Sequence, residues 1–158
     1  MSRWGGMTVF KLSVVRFLAL ALVVSAATLM VPVSTSAHTG TNGCTPGYWK
    51  NHTSSWPSGY LPNNLVTAYF PAAGAYVGTA TLIQALDFGG GSGTDGAARI
   101  LLRAGVAALL NSASGFYPFT VSQVQTAVNN ALASGNRATM LSVAGQADGF
   151  NNLGCPLN

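Results

Sequence analysis

The ten residues GCTPGYWKNH at positions 43–52 combine a cysteine, two aromatic rings, a lysine and a histidine in one short segment. Side chains of these types can form a disulfide, bind a ligand or, with the serines that follow, catalyse a reaction. This segment, here called the opening motif, is therefore a candidate active site, a candidate binding surface or a candidate closure of a small domain.

The cysteines predict a disulfide between the two ends of the domain. Cys44 and Cys155 are the only cysteines in the chain, and an even pair in an exported protein is typical of a disulfide. Closing so long a loop removes on the order of 4–5 kcal/mol of entropy from the unfolded chain. A metal site or two free thiols are the alternatives, but a metal site needs more ligands than His38 and His52 can add. We expect no metal or other cofactor.

A catalytic role for the opening motif would rest on His52. This histidine could act as a base toward a serine of the segment 53–55, but such a nucleophile also needs a third group that orients the base. Asp87, the nearest aspartate in the sequence, lies 35 positions after His52, and the chain contains no glutamate for a pair of glycosidase carboxylates. We expect no enzyme activity, with a small hydrolase that uses His52 as an alternative.

A binding role would rest on the four aromatic rings within the thirteen residues 48–60. Flat rings beside short hydrogen-bonding side chains suit sugars, because a ring stacks on the C–H face while hydroxyl groups are hydrogen-bonded. Carbohydrate or cell-wall binding requires at least two of these rings to be exposed and roughly coplanar. The candidate ligand-binding residues are Tyr48, Trp49, Lys50, Asn51, His52, Trp56 and Tyr60.

A structural role for the opening motif is the interpretation that we favour. The pair Pro46–Gly47 predicts a turn that directs the following rings toward the helices. No helix is expected to begin in this segment. Each indole N–H of Trp49 and Trp56 then bonds a carbonyl, and Lys50 lies over a ring as a cation–π partner. Burial of both tryptophans would indicate a structural segment, and exposure of both on one face would indicate a binding site.

The first 37 residues are predicted to be a secretory signal peptide. Three basic residues flank or precede the apolar run Phe17–Val33, and the small residues that end at Ala37 fit a signal peptidase site. We expect cleavage after Ala37, which leaves one domain over 38–158 that is secreted to the cell exterior. A membrane anchor formed by the uncleaved N-terminal segment is the alternative.

Removing the predicted signal changes the charge balance. The full chain has a formal net charge of +4, but three of its seven basic residues lie in the signal. The remaining four basic residues are nearly balanced by three aspartates. Nucleic-acid binding requires clustered cations, and the four remaining ones are scattered along the sequence. Nucleic-acid-binding proteins are therefore excluded as a class. The candidate partners are a cell-surface glycan or another extracellular protein, and contact with a membrane is expected only through an uncleaved signal.

The sequence between the cysteines predicts helices and no strands. A short helix capped by Asn63 or Asn64 ends at Phe70, and a helix of about two turns begins at Thr79. After the glycine-rich loop 89–96, the best helix covers 97–113 with Asp95 as its N-cap. Its apolar residues occupy more than one stripe, which predicts a central and largely covered position.

The C-terminal third of the chain predicts two further helices. The sequence from Thr120 to Gln123 forms a capping box, and Gly135 is suited to end the helix that follows. A weaker helix is expected over 136–148. The predicted fold class is all-α: a small irregular helical bundle with long polar loops whose N- and C-terminal ends are joined by one disulfide.

The string CTPGYWKNH at 44–52 resembles the signature that opens a family of secreted or cell-surface microbial domains. Further similarities lie at 107–111 (AALLN), 117–121 (YPFTV) and 154–157 (GCPL), so the resemblance covers essentially all of the chain after the predicted signal. It implies a protein at the cell exterior, often beside adhesive, immunoglobulin-like or anchoring modules, with no established activity, cofactor or catalytic residue. We expect this chain to carry the domain alone, with no anchor after Leu157.

Overall fold

The computed structural model describes residues 40–158, so the predicted signal peptide and His38 lie outside the described residues. This part of the chain contains six α-helices and no strand, apart from two isolated bridges. The prediction of an all-α bundle with one disulfide is confirmed. The helices are α1 (Pro46–Asn51), α2 (Gly74–Val77), α3 (Leu82–Ala85), α4 (Gly93–Ala113), α5 (Val121–Ala133) and α6 (Arg137–Asn151), with short 3₁₀ helices at Thr53–Ser55, Val66–Ala68 and Pro71–Ala73.

Helix α4 is the centre of the bundle, and the other five helices all contact it. Its side chains from Leu101 to Leu110 are buried except for Arg103, which is half-buried. Helix α5 can approach α4 closely because Gly105 has no side chain: a Cβ there would lie 2.9 Å from a methyl group of Val128. The predicted central position of this helix is confirmed. Among residues 40–158, no helix combines the length and the apolar character that crossing a membrane requires.

The helix signals in the C-terminal third are confirmed. Thr120 accepts a hydrogen bond from the Gln123 backbone N–H at 3.2 Å, and the Gln123 side chain accepts one from the Thr120 N–H at 2.9 Å, which is the predicted capping box. Gly135 follows α5 with a φ of +61°, a conformation that favours glycine. Asn136 caps α6, which extends to Asn151, three residues beyond the predicted end at Asp148.

The start of α4 differs from the prediction. Ser92, not Asp95, is the N-cap residue, and Asp95 lies in the first helical turn, where a negative charge is stabilised by the helix dipole. The glycine-rich loop is correspondingly shorter than predicted, because contacts from distant residues order its second half. Arg137 donates hydrogen bonds to the carbonyl oxygens of Gly91 and Gly93.

The segment before α4 is less helical than predicted. The expected helix from Asn63 or Asn64 to Phe70 is reduced to the 3₁₀ helix Val66–Ala68, and the next helix is capped by Thr81 instead of beginning at Thr79. The reason is that backbone groups here pair with each other across the two segments. The Val66 N–H donates to the Ala80 carbonyl, and the Leu82 N–H donates to the Asn64 carbonyl, both at 2.9 Å.

The predicted disulfide between Cys44 and Cys155 is confirmed, with 4.3 Å between the two Cα atoms. It joins the segment before α1 to the segment after α6. An adjacent backbone hydrogen bond of 3.1 Å from Gly43 to Gly154 continues this connection. Gly43 has no room for a side chain, because a Cβ would lie 2.2 Å from the Phe150 carbonyl oxygen.

We predict that replacing both cysteines, as Cys44→Ser with Cys155→Ser, lowers the free energy of unfolding by about 2–5 kcal/mol, since the open chain gains entropy when it unfolds. Urea unfolding of the two proteins measures the difference. Alkylation of the denatured, unreduced wild type followed by mass spectrometry should find no modified cysteine. An alkylated cysteine, or equal stability of the two proteins, would contradict this prediction.

Candidate functional site

The opening motif forms a helix, so the prediction of a turn with no helix beginning there is wrong. The Thr45 hydroxyl accepts a hydrogen bond from the Tyr48 N–H at 3.1 Å, which makes Thr45 the N-cap of α1. Pro46 occupies the first helical position, where its fixed φ is favourable and its missing N–H costs nothing. Helix α1 ends at Asn51, and His52 is its C-cap.

Trp49 is a fully buried residue of the opening motif. Its side chain is 0% exposed, and its indole N–H donates to Asn111 Oδ1 at 3.0 Å. The expected acceptor was a carbonyl, and the structure supplies the side-chain carbonyl of a residue on α4. Trp49 therefore attaches α1 to the central helix by packing and by a hydrogen bond.

Asn111 lies at the centre of a buried network of hydrogen bonds. Its Oδ1 also accepts from the Cys44 N–H at 2.8 Å, and its amide group donates to the Cys44 carbonyl at 3.0 Å and to Asn151 Oδ1 at 2.9 Å. The Asn151 amide in turn donates to the Ala104 carbonyl at 3.0 Å. Both lone pairs and both N–H groups of Asn111 are thus used. The network joins the opening motif, α4 and α6.

Tyr48 and His52 lie on the outer side of α1. Their rings stack at a centroid distance of 4.2 Å with an interplanar angle of 12°. The Tyr48 hydroxyl donates to the Leu157 carbonyl at 3.1 Å, and His52 Nδ1 lies 2.9 Å from the Tyr48 carbonyl oxygen. His52 therefore packs against its own helix.

Lys50 forms an ion pair with Asp87, with 2.6 Å between Nζ and Oδ1. The cation–π contact predicted for Lys50 with the ring of Trp49 or Trp56 is wrong, because the Lys50 ammonium group pairs with Asp87 instead. The cation–π contact found within residues 40–158 is that of Arg99 over Phe88. Asn51, the next residue, is exposed at the end of α1.

The remaining two candidate rings are half-buried. Trp56 donates its indole N–H to the Trp49 carbonyl at 2.9 Å, as predicted for a structural tryptophan. Tyr60 stacks on Tyr69 with the ring centroids 5.1 Å apart. The structure therefore brings Tyr48, Trp49 and Trp56 together around α1, but they do not form one open and coplanar face.

The polar side of α1 borders an open cleft of about 380 Å³, here called the polar cleft. Two basic and two acidic side chains line it, together with the first residues of α1. Sequence reasoning found only the lysine, because the other charged residues come from distant segments and carry no motif. The lining residues are Thr45, Pro46, Gly47, Lys50, Leu86, Asp87, Arg103, Asp148 and Asn152.

A second cavity, here called the apolar pocket, lies between α5 and α6 with α4 below them. It has a volume of about 130 Å³. Sequence reasoning did not find it, although the aromatic residues of YPFTV supply part of its wall. The lining residues are Ala108, Tyr117, Phe119, Gln123, Val124, Ala127, Val128, Val143, Gln146, Ala147 and Phe150.

These features define a disulfide-closed, all-α domain built on one central helix. The chain matches the family described as protodermal factor 1 C-terminal domain over residues 44–152, and it belongs to that family. No curated protein matches, and no solved structure matches. The match does not address the microbial family that the string CTPGYWKNH resembles, so that resemblance stays a prediction.

We predict that Asn111→Ala lowers the free energy of unfolding by about 3 kcal/mol or more. The variant leaves the Trp49 indole N–H, both backbone groups of Cys44 and Asn151 Oδ1 without a partner, and each unsatisfied buried group costs about 1–3 kcal/mol. Urea unfolding measures the effect, with Asn130→Ala on the exposed side of α5 as a control that should change stability by no more than about 0.5 kcal/mol. Equal losses in the two variants would refute a central role for Asn111.

We predict that Tyr117 makes the protein sensitive to alkali. Burial, assisted by the charge of Asp148, raises the pKa of Tyr117 above its ordinary value of 10.0. Above about pH 10 the unfolded state loses this proton while the folded state keeps it, so stability falls as the pH rises.

The test compares the wild type with Tyr117→Phe by urea unfolding between pH 8 and pH 11. At pH 8 the variant should be less stable by about 1 kcal/mol, since it lacks the 3.2 Å hydrogen bond to the Ala147 carbonyl. The difference should narrow as the pH rises, because the variant has no phenol at this position to ionise. Parallel stability curves would rule out this assignment.

Proposed function

We propose that this chain is a non-catalytic structural and interaction domain that acts at the cell exterior and binds its partner through the polar cleft. The proposal rests on the observation that the opening motif has both buried structural residues and an exposed polar residue. Its inner residues, Cys44 and Trp49, are used up in the disulfide and the Asn111 network. Its outer polar residue Lys50 lines an open cleft together with charged residues of α4, of α6 and of the turn after α3.

A location at the cell exterior is supported by the disulfide. Such bonds persist in oxidising environments and are rare in the cytosol. The predicted signal peptide, if cleaved after Ala37, would deliver the domain over 38–158 to such an environment. Secretion of the mature domain is the expected outcome.

A non-catalytic role is supported by the position of His52. Its ring is stacked on Tyr48 and its Nδ1 contacts a backbone carbonyl, whereas a catalytic base needs a nucleophile on one side and an orienting group on the other. Asp87, a carboxylate close to the opening motif, is paired with Lys50. Within the part of the chain that the structure describes, His52 and Asp87 are thus engaged in packing and ion pairing and are not arranged for acid–base chemistry.

The polar cleft favours a protein as the partner. It places Lys50 and Arg103 beside Asp87 and Asp148, so it offers both signs of charge within one concave surface. Charges of both signs give specificity toward a partner with complementary charges. A neutral glycan has no charges that could pair with those of the cleft. A charged surface of another extracellular protein therefore complements the cleft better than a glycan does.

Carbohydrate or cell-wall binding through residues 48–60 is the alternative. In its favour, Tyr48, Trp56 and Tyr60 are only half-buried, and Asn51 and His52 beside them are exposed. Against it, two of the rings already stack on partners within the protein. This function therefore ranks second.

The proposed function predicts that the exported chain stays bound to the cell exterior through the polar cleft. We expect Lys50→Ala with Arg103→Ala to reduce the fraction retained on washed cells at least tenfold, because both cations of the cleft are removed. Arg99→Ala is the matched control, since Arg99 is an exposed arginine of α4 that does not line the cleft. Immunoblots of cells and medium measure retention, and circular dichroism verifies folding.

Protease treatment and insoluble glycans separate the two candidate functions. Treating the cells with protease before adding the purified domain should abolish binding if the partner is a protein. Binding that survives protease, occurs on isolated glycans and is lost in Trp56→Ala with Tyr60→Ala would establish the alternative. Equal retention of the cleft variant and the Arg99→Ala control would refute the polar cleft as the binding face.

A further inference from the structure

We propose that the apolar pocket is a binding site for a small neutral aromatic molecule with a single ring and a hydrogen-bond acceptor. None of the residues that line the pocket belongs to the polar cleft. The inference is therefore independent of the proposed function.

The volume of the pocket sets the size of the ligand. A cavity of about 150 Å³ with apolar walls is large enough to bind benzene, and the apolar pocket has about 130 Å³. One six-membered ring is therefore close to the limit of its volume, and because the pocket is open on one side, a short substituent can extend toward the solvent. A disaccharide or a long acyl chain does not fit.

The walls of the pocket favour an aromatic ring over an aliphatic group. Phe119 and Phe150 meet edge to face with their centroids 4.9 Å apart, and Tyr117 lies at 5.9 Å from Phe119 and 6.3 Å from Phe150. Aromatic rings attract each other in such geometries because the positive edge of one ring meets the negative face of another. A bound ring would extend this cluster.

The lining also sets the charge of the ligand. The lining residues of the pocket carry no charged side chain, so an ionised ligand would lose its hydration without gaining an ion pair. The hydroxyl of Tyr117 is already used, because it donates to the Ala147 carbonyl. An ionised carboxylate or ammonium compound is therefore excluded.

Gln123 supplies the hydrogen bond that orients the ligand. Its side-chain oxygen accepts from the Thr120 N–H in the capping box, which fixes the amide and leaves both N–H donors of its NH₂ group to bond a ligand. A donor in this position selects a ligand with an acceptor, such as a hydroxyl or a carbonyl oxygen. Benzyl alcohol has the ring, the acceptor and the neutral charge, and it is the probe for the test.

The experiment titrates benzyl alcohol into the full oxidised chain labelled with ¹³C at the valine methyl groups. We expect saturable shifts at Val124 and Val143, which line the pocket, and none at Val106, which is buried outside it. The expected Kd is on the order of 1 mM or tighter. Shifts that do not saturate, or that are equal at Val106, would overturn the proposal.

Two matched variants test the location. Ala127→Leu places a larger side chain in the pocket, and Ala133→Leu makes the same change at an exposed position of α5 outside it. Both positions are exposed, so both variants should fold. We expect the first to weaken binding at least tenfold and the second to change it by less than twofold. Equal affinities would overturn the proposal.

Further ligands and one variant test the chemistry. Gln123→Glu keeps the capping box but removes the NH₂ donor, so benzyl alcohol should bind at least fivefold more weakly. Benzoate and hexan-1-ol should each bind at least tenfold more weakly than benzyl alcohol to the wild type, and equal binding of either would overturn the assigned ligand class. If N-acetyl-phenylalaninamide binds more tightly than benzyl alcohol, the proposed small-molecule ligand is wrong and the pocket binds an aromatic side chain of a partner protein.

Discussion

The amide of Asn111 is the interaction on which the rest of this structure depends. It is buried, and its four hydrogen bonds join the central helix to Cys44, Trp49 and Asn151. Only 6% of the residues in the chain are charged, so ion pairs contribute little and buried contacts must specify the packing. A fully satisfied amide does so because any other arrangement would leave polar groups unpaired in the interior. The disulfide adds to this stability by reducing the conformational entropy of the unfolded chain.

This dependence explains why the opening motif contains so many kinds of residue. Thr45 and Pro46 start helix α1, Cys44 and Trp49 attach it to the central helix, and Lys50 reaches the surface. Each residue type answers a different local requirement of one short helix. Chemical variety within a short segment is therefore consistent with a structural segment that has one exposed polar edge.

The sequence was sufficient where the determining interactions are local. The capping box from Thr120 to Gln123 involves residues three positions apart, and the disulfide follows from the presence of only two cysteines. Prediction failed at the start of α4 and around Val66, where distant residues supply the hydrogen bonds. Both cavities were missed for the same reason, since each is lined from several helices. Asn111 could have been suspected, because a polar residue in an apolar helical run needs a buried partner.

The two cavities share helices α4 and α6 and differ in their remaining walls. The polar cleft includes the first turn of α1, whose position is set by the Trp49–Asn111 hydrogen bond and by the nearby disulfide. The apolar pocket is formed by α4, α5 and α6, whose approach is set by side-chain packing such as that of Gly105 against Val128. Loosening of α1 therefore changes the polar cleft directly, while the apolar pocket is affected only if the packing of the long helices also changes. One small bundle can in this way maintain two surfaces of different chemistry on the same pair of long helices, because α1 completes one surface and α5 completes the other.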